Sequence, residues 1–435
     1  QMMSESVPLP KSVAQRTHLK TTTSRCPLCL APCPANVWKT ADTPARVLLS
    51  RTCDAHGETT NCISTDARLY WHRSHPPGKD SCAAKETSGN KRSACCTLVE
   101  IAQSCMPAAK VRYHPLQSLQ QRISVAIDHR NHIELLQLSG GEPTLHPDFF
   151  ALLDWCHDHP GITDVLVATN GARIAQDNDF LAALGQRAPK GHLQLDLQFD
   201  GLRETGPQAL RSADLQEMKK TCLDRCASIR LPVTLAMTVH RDNLGCLWDT
   251  IAWGLSFDNC RGVAFQPMFQ SSRLPDQNSG FQGPASLMPL NTADIILAAV
   301  DQAEGKLKVG DFTPLPSGDP NCATISYLLK PPRGIRPASE FANITDAQDV
   351  LPDKDRHSLE GLVQCGGEPA AHGDRLKELG LEEKDTFRLF IKPFMDAWTW
   401  DEDRIDRCCT HVIRPDGSLD SFCRHYSGFP DCQPT

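Results

Sequence analysis

No stretch of this chain is long and apolar enough to cross a bilayer, which takes roughly 20 consecutive apolar residues. Nor do its 435 residues hold an excess of positive charge, with 45 lysines and arginines against 52 acidic residues and a formal net charge of -7. A protein whose main partner is nucleic acid needs surplus cations to neutralise phosphates, so that class is excluded. Gln1 to Lys20 lacks the apolar centre of a secretory signal. The chain opens on Gln1, as a fragment or processed form would, so the missing signal weighs little. The expectation is a soluble, cytoplasmic protein large enough for a barrel-sized domain with appendages. What is abundant is cysteine, at 20 residues. In a large chain without an export signal, a Cys-x-x-Cys and an adjacent cysteine pair favour metal ligation over disulfides.

The middle third repeats one theme. Thr97 to Ala102, Leu135 to Leu138, Asp164 to Ala168, Leu193 to Phe199, Val233 to Val239 and Gly262 to Pro267 are short runs rich in Val, Ile, Leu or Phe. Helical patterns separate them at Leu116 to His129, Pro147 to His157, Asp177 to Gly185, Asp214 to Ser228 and Asn243 to Ser256. Strands joined by helices pair in parallel through right-handed crossovers. The expected fold is α/β, a partial (β/α)6 TIM-like barrel with function at the carboxyl ends of its strands. Polar clusters follow the strands in succession: Gly140 to Glu142, Thr169-Asn170-Gly171, Gln198-Phe199-Asp200-Gly201, Thr238, and Gln266-Pro267. One such cluster is unremarkable, but the series argues for a shared ligand site.

The first cluster is the most specific. In Leu136 to Pro147 an apolar run stops at Gly140-Gly141-Glu142 and continues Pro-Thr-Leu-His-Pro. Glycine admits a close ligand, and Glu142 offers an acceptor to an ammonium group. This segment, with Thr169 to Gly171, Leu197 to Leu202 and Val263 to Pro267, resembles radical S-adenosylmethionine (SAM) enzymes. The similar branch contains archaeal tetraether lipid synthases and the methyltransferase of methanopterin biosynthesis. The resemblance runs from about Arg25 to Tyr426. It implies that Gly140, Gly141 and Glu142 hold the methionine end of SAM. Asn170, Gln198, Asp200 and Thr238 would line the ribose and sulfonium side, and Gln266 would lie near the adenine. It also implies a 5′-deoxyadenosyl radical used for carbon-carbon bond formation or methylation on a lipid or pterin-like substrate, with an electron donor such as ferredoxin or flavodoxin.

The chain departs from that pattern at one place. Three thiolates from a Cys-x-x-x-Cys-x-x-Cys loop hold the 4Fe-4S cluster and leave one iron open for SAM. Here the loop reads Ser104-Cys105-Met106-Pro107-Ala108-Ala109-Lys110, so Cys105 stands at the first ligand position and the other two are absent. Cys95 and Cys96 lie at the far end of the strand, roughly 30 Å away. The alternative function is therefore a cluster-deficient paralogue that binds SAM or a nucleoside, or serves as a scaffold.

Other metal motifs flank the barrel. Cys26-x-x-Cys29 and Cys53-x-x-His56 pair two short knuckles about a β-like Val47 to Arg51, the donor set of zinc or a single iron. Relatives of the resembled branch carry a rubredoxin-like or zinc-ribbon element here. Cys33 and Cys62 read as spare thiols. Cys322, Cys408, Cys409 and Cys423 are candidates for an auxiliary iron-sulfur cluster, as in the relatives, because adjacent cysteines such as Cys408 and Cys409 rarely bond to each other. The expected divisions are a flexible terminus over 1–24, the metal module over 25–75, a linker over 76–94, the barrel over 95–310, and a C-terminal auxiliary-cluster and substrate region over 311–435.

Overall fold

The computed structural model describes residues 16–71, 96–103, 111–201, 209–269, 289–315, 318–330, 334–340 and 385–429. The expected cluster ligand Cys105 and the whole of the linker expected over 76–94 lie outside these residues.

The N-terminal unit is a four-stranded antiparallel sheet in chain order: β1 (Arg16–Arg25), β2 (Pro32–Thr40), β3 (Val47–Cys53) and β4 (Gly57–Ser64). Strand β1 occupies part of the segment expected to be flexible. Its threonine-rich sequence carries no apolar run, yet it pairs with β2 from Arg16↔Thr40 to Arg25↔Pro32. The apolar centre of this unit is small, comprising Ala35, Val37, Val47 and Leu49.

The large sheet holds the six strands read from the apolar runs, adjacent to one another in chain order. They are β5 (Cys96–Glu100), β8 (Ile133–Ser139), β9 (Ile162–Thr169), β10 (Leu193–Gln198), β11 (Val233–Val239) and β12 (Cys260–Pro267), all parallel. A short hairpin, β6 (Ala102–Gln103) and β7 (Arg112–Tyr113), lies between β5 and the first crossover helix. The crossovers are α1 (Leu116–Arg130), α2 (Phe149–Asp158), the pair α3 (Ala172–Gln176) and α4 (Asn178–Gly185), α5 (Ala209–Ser228) and α6 (Leu247–Leu255). Their apolar faces and the sheet form one core that includes Ile123, Leu136, Leu153, Val167, Leu195, Leu235 and Ile251.

Two features go beyond the expected six-strand unit. After α7 (Thr292–Gln302) come β13 (Thr313–Pro314), β14 (Thr324–Leu329), β15 (Arg336–Pro337), β16 (Thr386–Ile391), β17 (Thr410–Ile413) and β18 (Leu419–Ser421). Strand β16 joins β12 in parallel, and β17 joins β5 in parallel at the opposite flank. The segment expected to be a C-terminal extension is thus built into the same sheet, with antiparallel β14 and β18 outside those strands. Two short helices, α8 (Glu402–Asp406) and α9 (Phe422–Ser427), complete this region. Among the described residues no helix is long and apolar enough to cross a membrane.

The N-terminal sheet is pinned to this C-terminal segment by a buried arginine. Arg51, only 1% exposed, donates to the carbonyls of Arg25 at 3.0 Å, Ala397 at 2.5 Å and Trp398 at 2.7 Å, and to Asn61 Oδ1 at 2.7 Å. Lys20 adds ion pairs to Asp401 at 2.6 Å and Asp403 at 2.8 Å.

Candidate functional site

The knuckles come together as the spacing predicts. After β1 the chain turns through Cys26 to Cys29, with the amide of Leu30 donating to the Cys26 carbonyl at 2.9 Å. Cys53 ends β3, and His56 sits in the turn before β4. The four ligand atoms of Cys26, Cys29, Cys53 and His56 lie within 4.8 Å of one another. Cys29 Sγ is 3.7 Å from Cys53 Sγ, and His56 Nδ1 is 3.6 Å from the sulfurs of both Cys26 and Cys53. A tetrahedral ion with arms of about 2.3 Å needs edges of about 3.8 Å, so the set fits zinc. Burial pushes the Cys26 thiol up, but the amides of Cys29 and Leu28 outweigh it and hold the thiol below its ordinary value. The amides of Ala55 and His56 do the same for Cys53 against burial. Thiolate is the ligating form, so the knuckles are prepared for metal. Cys33 packs beside the site but donates to the Ala31 carbonyl at 3.3 Å, and burial pushes its thiol up to about 11.

At the strand ends, β8 runs into Gly140 and Gly141, both left-handed, with φ of 84° and 66°. A Cβ on Gly140 would stand 3.0 Å from the Ala102 carbonyl, so only glycine lets this turn lie against the β6 hairpin. Glu142 then joins two turns. Its Oε1 accepts from Thr144 N at 3.1 Å, Thr144 Oγ1 at 2.6 Å and Thr169 Oγ1 at 2.7 Å, and its Oε2 accepts from Asn170 N at 2.7 Å. A carboxylate has about four acceptor sites, and Oε2 carries a single bond here, so one site is left for a ligand. Asn170 Oδ1 accepts from Ala172 N at 2.9 Å and starts α3, while its carbonyl accepts from Lys219 Nζ at 2.7 Å. Burial lowers the Lys219 ammonium, and Asp200, Cys222 and Glu142 resist that.

These ends open on a cavity of about 640 Å³. Of the residues assigned from sequence, Gly141, Glu142, Asn170, Gln198 and Gln266 line it. Gly140 supports the turn behind, and Asp200 and Thr238 stand outside the lining. Asn243 links the last two, its Nδ2 donating to the Thr238 carbonyl at 2.9 Å and the Asp200 carbonyl at 3.4 Å. Sequence reasoning missed Asn243, in the turn before α6, and Lys219, on α5, which bond to the backbone of the strand-end turns and have no motif of their own.

The C-terminal thiols line the same cavity: Cys322, Cys408, Cys409 and Cys423. Asp319 shapes the approach to Cys322, accepting from Asn321 N at 2.9 Å and pairing with Arg407. Arg404 Nη2 lies 3.7 Å from Cys322 Sγ, and Met395 N donates to Cys423 Sγ at 3.4 Å. Burial pushes the Cys322 thiol up to about 12 and raises those of Cys408 and Cys423. Among the described residues only the knuckle set gathers ligating atoms within 4.8 Å.

Comparison with known proteins follows the same lines. Residues 18–65 match the family described as the HMPTM N-terminal zinc ribbon domain. Along 93% of its length the chain is 23% identical to a 7,8-dihydro-6-hydroxymethylpterin dimethyltransferase of Methanocaldococcus jannaschii, of which it covers 93%. Along nearly its whole length the chain is thus similar to a methyltransferase. Over 23% of its length it is also 35% identical to a GTP 3′,8-cyclase of Synechococcus elongatus, of which it covers 29%. Two solved structures share weak similarity. SuiB of Streptococcus suis bound to SAM has a TM-score of 0.31 at 13% identity, over 45% of this chain and 44% of that one. The cobalamin- and cluster-bound methyltransferase TsrM of Kitasatospora setae has a TM-score of 0.27 at 11% identity, over 50% of this chain and 46% of that one. The chain thus spans under half the length of either structure.

Proposed function

We propose that this chain binds SAM at the carboxyl ends of β8 to β12, in a partial (β/α)6 barrel, and belongs to a methyl-transferring system acting on a small pterin-like heterocycle. The observation that carries the reading is Glu142, held between the Gly140-Gly141 turn and the Thr169-Asn170 turn with one acceptor site facing the cavity. In this reading Glu142 takes the ammonium of SAM, Asn170 and Gln198 take hydroxyls of the ribose, Gln266 lies by the adenine, and Asn243 holds the Asp200 and Thr238 ends in place. Similarity across nearly the whole chain supports a pterin-type substrate over a lipid.

A 4Fe-4S cluster with SAM on its open iron supplies a 5′-deoxyadenosyl radical in such enzymes. The residues of this chain do not fit that cluster. Ser104 to Lys110 contains one cysteine, Cys105, where three thiolates are needed. No step is therefore derived through it, and the same observation favours a second reading in which the chain binds SAM without cleaving it. Cys322, Cys408, Cys409 and Cys423 all line the cavity, which supports an auxiliary cluster that these thiols would hold in its wall. Iron and labile sulfide analysis of the anaerobically reconstituted chain separates the readings. One cluster's worth of iron, lost on Cys408→Ser with Cys409→Ser and unaffected by Cys105→Ser, supports an auxiliary cluster alone. A second cluster that depends on Cys105, with deoxyadenosine formed under a reductant such as ferredoxin or flavodoxin, supports the full radical enzyme.

A further inference from the structure

One carboxylate of the cavity has no part in holding SAM. Along β10, Gln194, Asp196 and Gln198 alternate with the buried Leu193, Leu195 and Leu197, so the three polar side chains share the cavity face. Asp196 lies about 7 Å below Gln198 along the strand, deeper than the SAM contacts. None of the hydrogen bonds or ion pairs among the described residues ends on its carboxylate. Its strand neighbours in register are Ala168 and Thr234, neither charged. Facing it from β16 and the residue after it are Arg388 and Lys392, which pull its carboxyl down less than burial pushes it up, leaving it at about 6.

The same wall carries flat apolar surface. Phe394 and Phe422 stack with centroids 3.9 Å apart, Tyr426 lies 4.5 Å from Phe422, and all three line the cavity. Lys392 Nζ is 5.7 Å from the Phe394 ring and donates to Thr410 Oγ1 at 2.6 Å, which holds its cationic end at the cavity wall. The cavity therefore offers aromatic faces, a carboxylate acceptor and, beside it, cationic donors. A 2-amino-4-oxopyrimidine edge presents the complement: two adjacent N–H donors and then a carbonyl acceptor, on a planar ring.

We infer that Asp196 is the specificity-determining carboxylate of the substrate site, accepting from the 2-amino group and N3–H of a 2-amino-4-oxopteridine while Lys392 and Arg388 face its 4-oxo oxygen. The inference rests on the pterin-type reading above and adds which edge is read and by which residue. A carboxylate at this place disfavours the 2-oxo analogue, because that analogue keeps N3–H but sets its 2-oxo acceptor against one carboxylate oxygen in place of a donor.

The test is calorimetry on the full chain with SAM, with 6-hydroxymethylpterin, and with the corresponding lumazine, which carries a 2-oxo group in place of the 2-amino group. The wild-type chain is expected to prefer the pterin by roughly tenfold or more, the discrimination of one charged hydrogen bond. Asp196→Asn should weaken pterin binding by a similar factor and bring the two ligands close to parity, with SAM affinity retained. Equal wild-type affinity for pterin and lumazine overturns the role of Asp196 and needs no variant, so a misfolded Asp196→Asn does not leave the question open. A folded Asp196→Asn that still prefers the pterin overturns it as well. Binding of SAM but of neither pteridine overturns the substrate class, and absence of SAM binding overturns the functional reading instead.

Discussion

Replacing Glu142 by glutamine isolates its charge from its architecture. Glutamine keeps the length of the side chain and one carbonyl oxygen, which can sit at the Oε1 position and still accept from Thr144 N, Thr144 Oγ1 and Thr169 Oγ1. The amide NH2 then faces Asn170 N, donor against donor, where the carboxylate had a bond of 2.7 Å. One lost bond costs about 1 to 3 kcal/mol of stability. The ammonium of SAM loses its counter-charge, which costs about 1.5 to 3 kcal/mol of binding, or roughly 10- to 150-fold in affinity. Alanine removes all four bonds and strands the donors of Thr144 and Asn170, so it should lower stability by about 3 kcal/mol or more and weaken SAM binding further. Denaturation and SAM calorimetry on the two variants separate these effects, and a SAM analogue without the amino group should bind the wild type and Glu142→Gln alike. A folded Glu142→Gln that binds SAM as tightly as the wild type would refute the assigned contact.

Further outcomes follow from other parts of the molecule. Cys29→Ser should bring bound zinc, measured by mass spectrometry, from about one per chain to near zero and unfold the ribbon. The ribbon's Val37, Val47 and Leu49 stabilise by about 1.5 to 3 kcal/mol each and Ala35 by less, too little against an ordering cost of about 1 to 2 kcal/mol per residue without metal. Arg51→Ala should release the ribbon from the segment around Ala397 and Trp398 at a cost of about 3 kcal/mol, seen as faster hydrogen exchange in β3 with zinc still bound. Burial raises the Asp319 carboxyl, but Arg404 and Arg407 outweigh it and hold it below its ordinary value. A depressed carboxyl stabilises fully above the unfolded value of about 3.9, and that stabilisation is lost as pH falls through the lower folded value. The loop carrying Cys322 should therefore loosen below about pH 4, and Asp319→Asn should lose that acid dependence in a pH series of denaturation curves.

The parallel centre of the sheet was legible because each strand is an apolar run that ends in glycine or polar residues, and because the helical patterns between them forbid hairpins. The knuckles were legible because ligand spacing is local. Strand β1 was not, since Thr21, Thr22 and Thr23 form no apolar pattern and its partner lies across a turn. Strand β16 carries a strand-like Phe387, Leu389, Ile391 alternation, but nothing local says that it joins β12 in parallel from more than a hundred residues away. Gly141, Glu142, Asn170, Gln198 and Gln266, which line the cavity, were read from the ends of their strands, whereas Asp200 and Thr238, read the same way, stand outside its lining. Lys219, Asn243, Arg404 and Asp196 were not read from sequence, because each acts through a long reach or a register set by tertiary packing. The carboxylate of Glu142 was read only as a ligand acceptor, whereas in the fold it also ties two turns together.

The most direct measurement is equilibrium binding of SAM to the folded, zinc-loaded chain as it stands. The account predicts saturable binding near one SAM per chain, with no deoxyadenosine formed under reductant until two cysteines are restored in a longer loop after Cys105. A folded chain that fails to bind SAM would contradict the strand-end site, and robust deoxyadenosine formation by the unaltered chain would contradict the reading of its cluster loop.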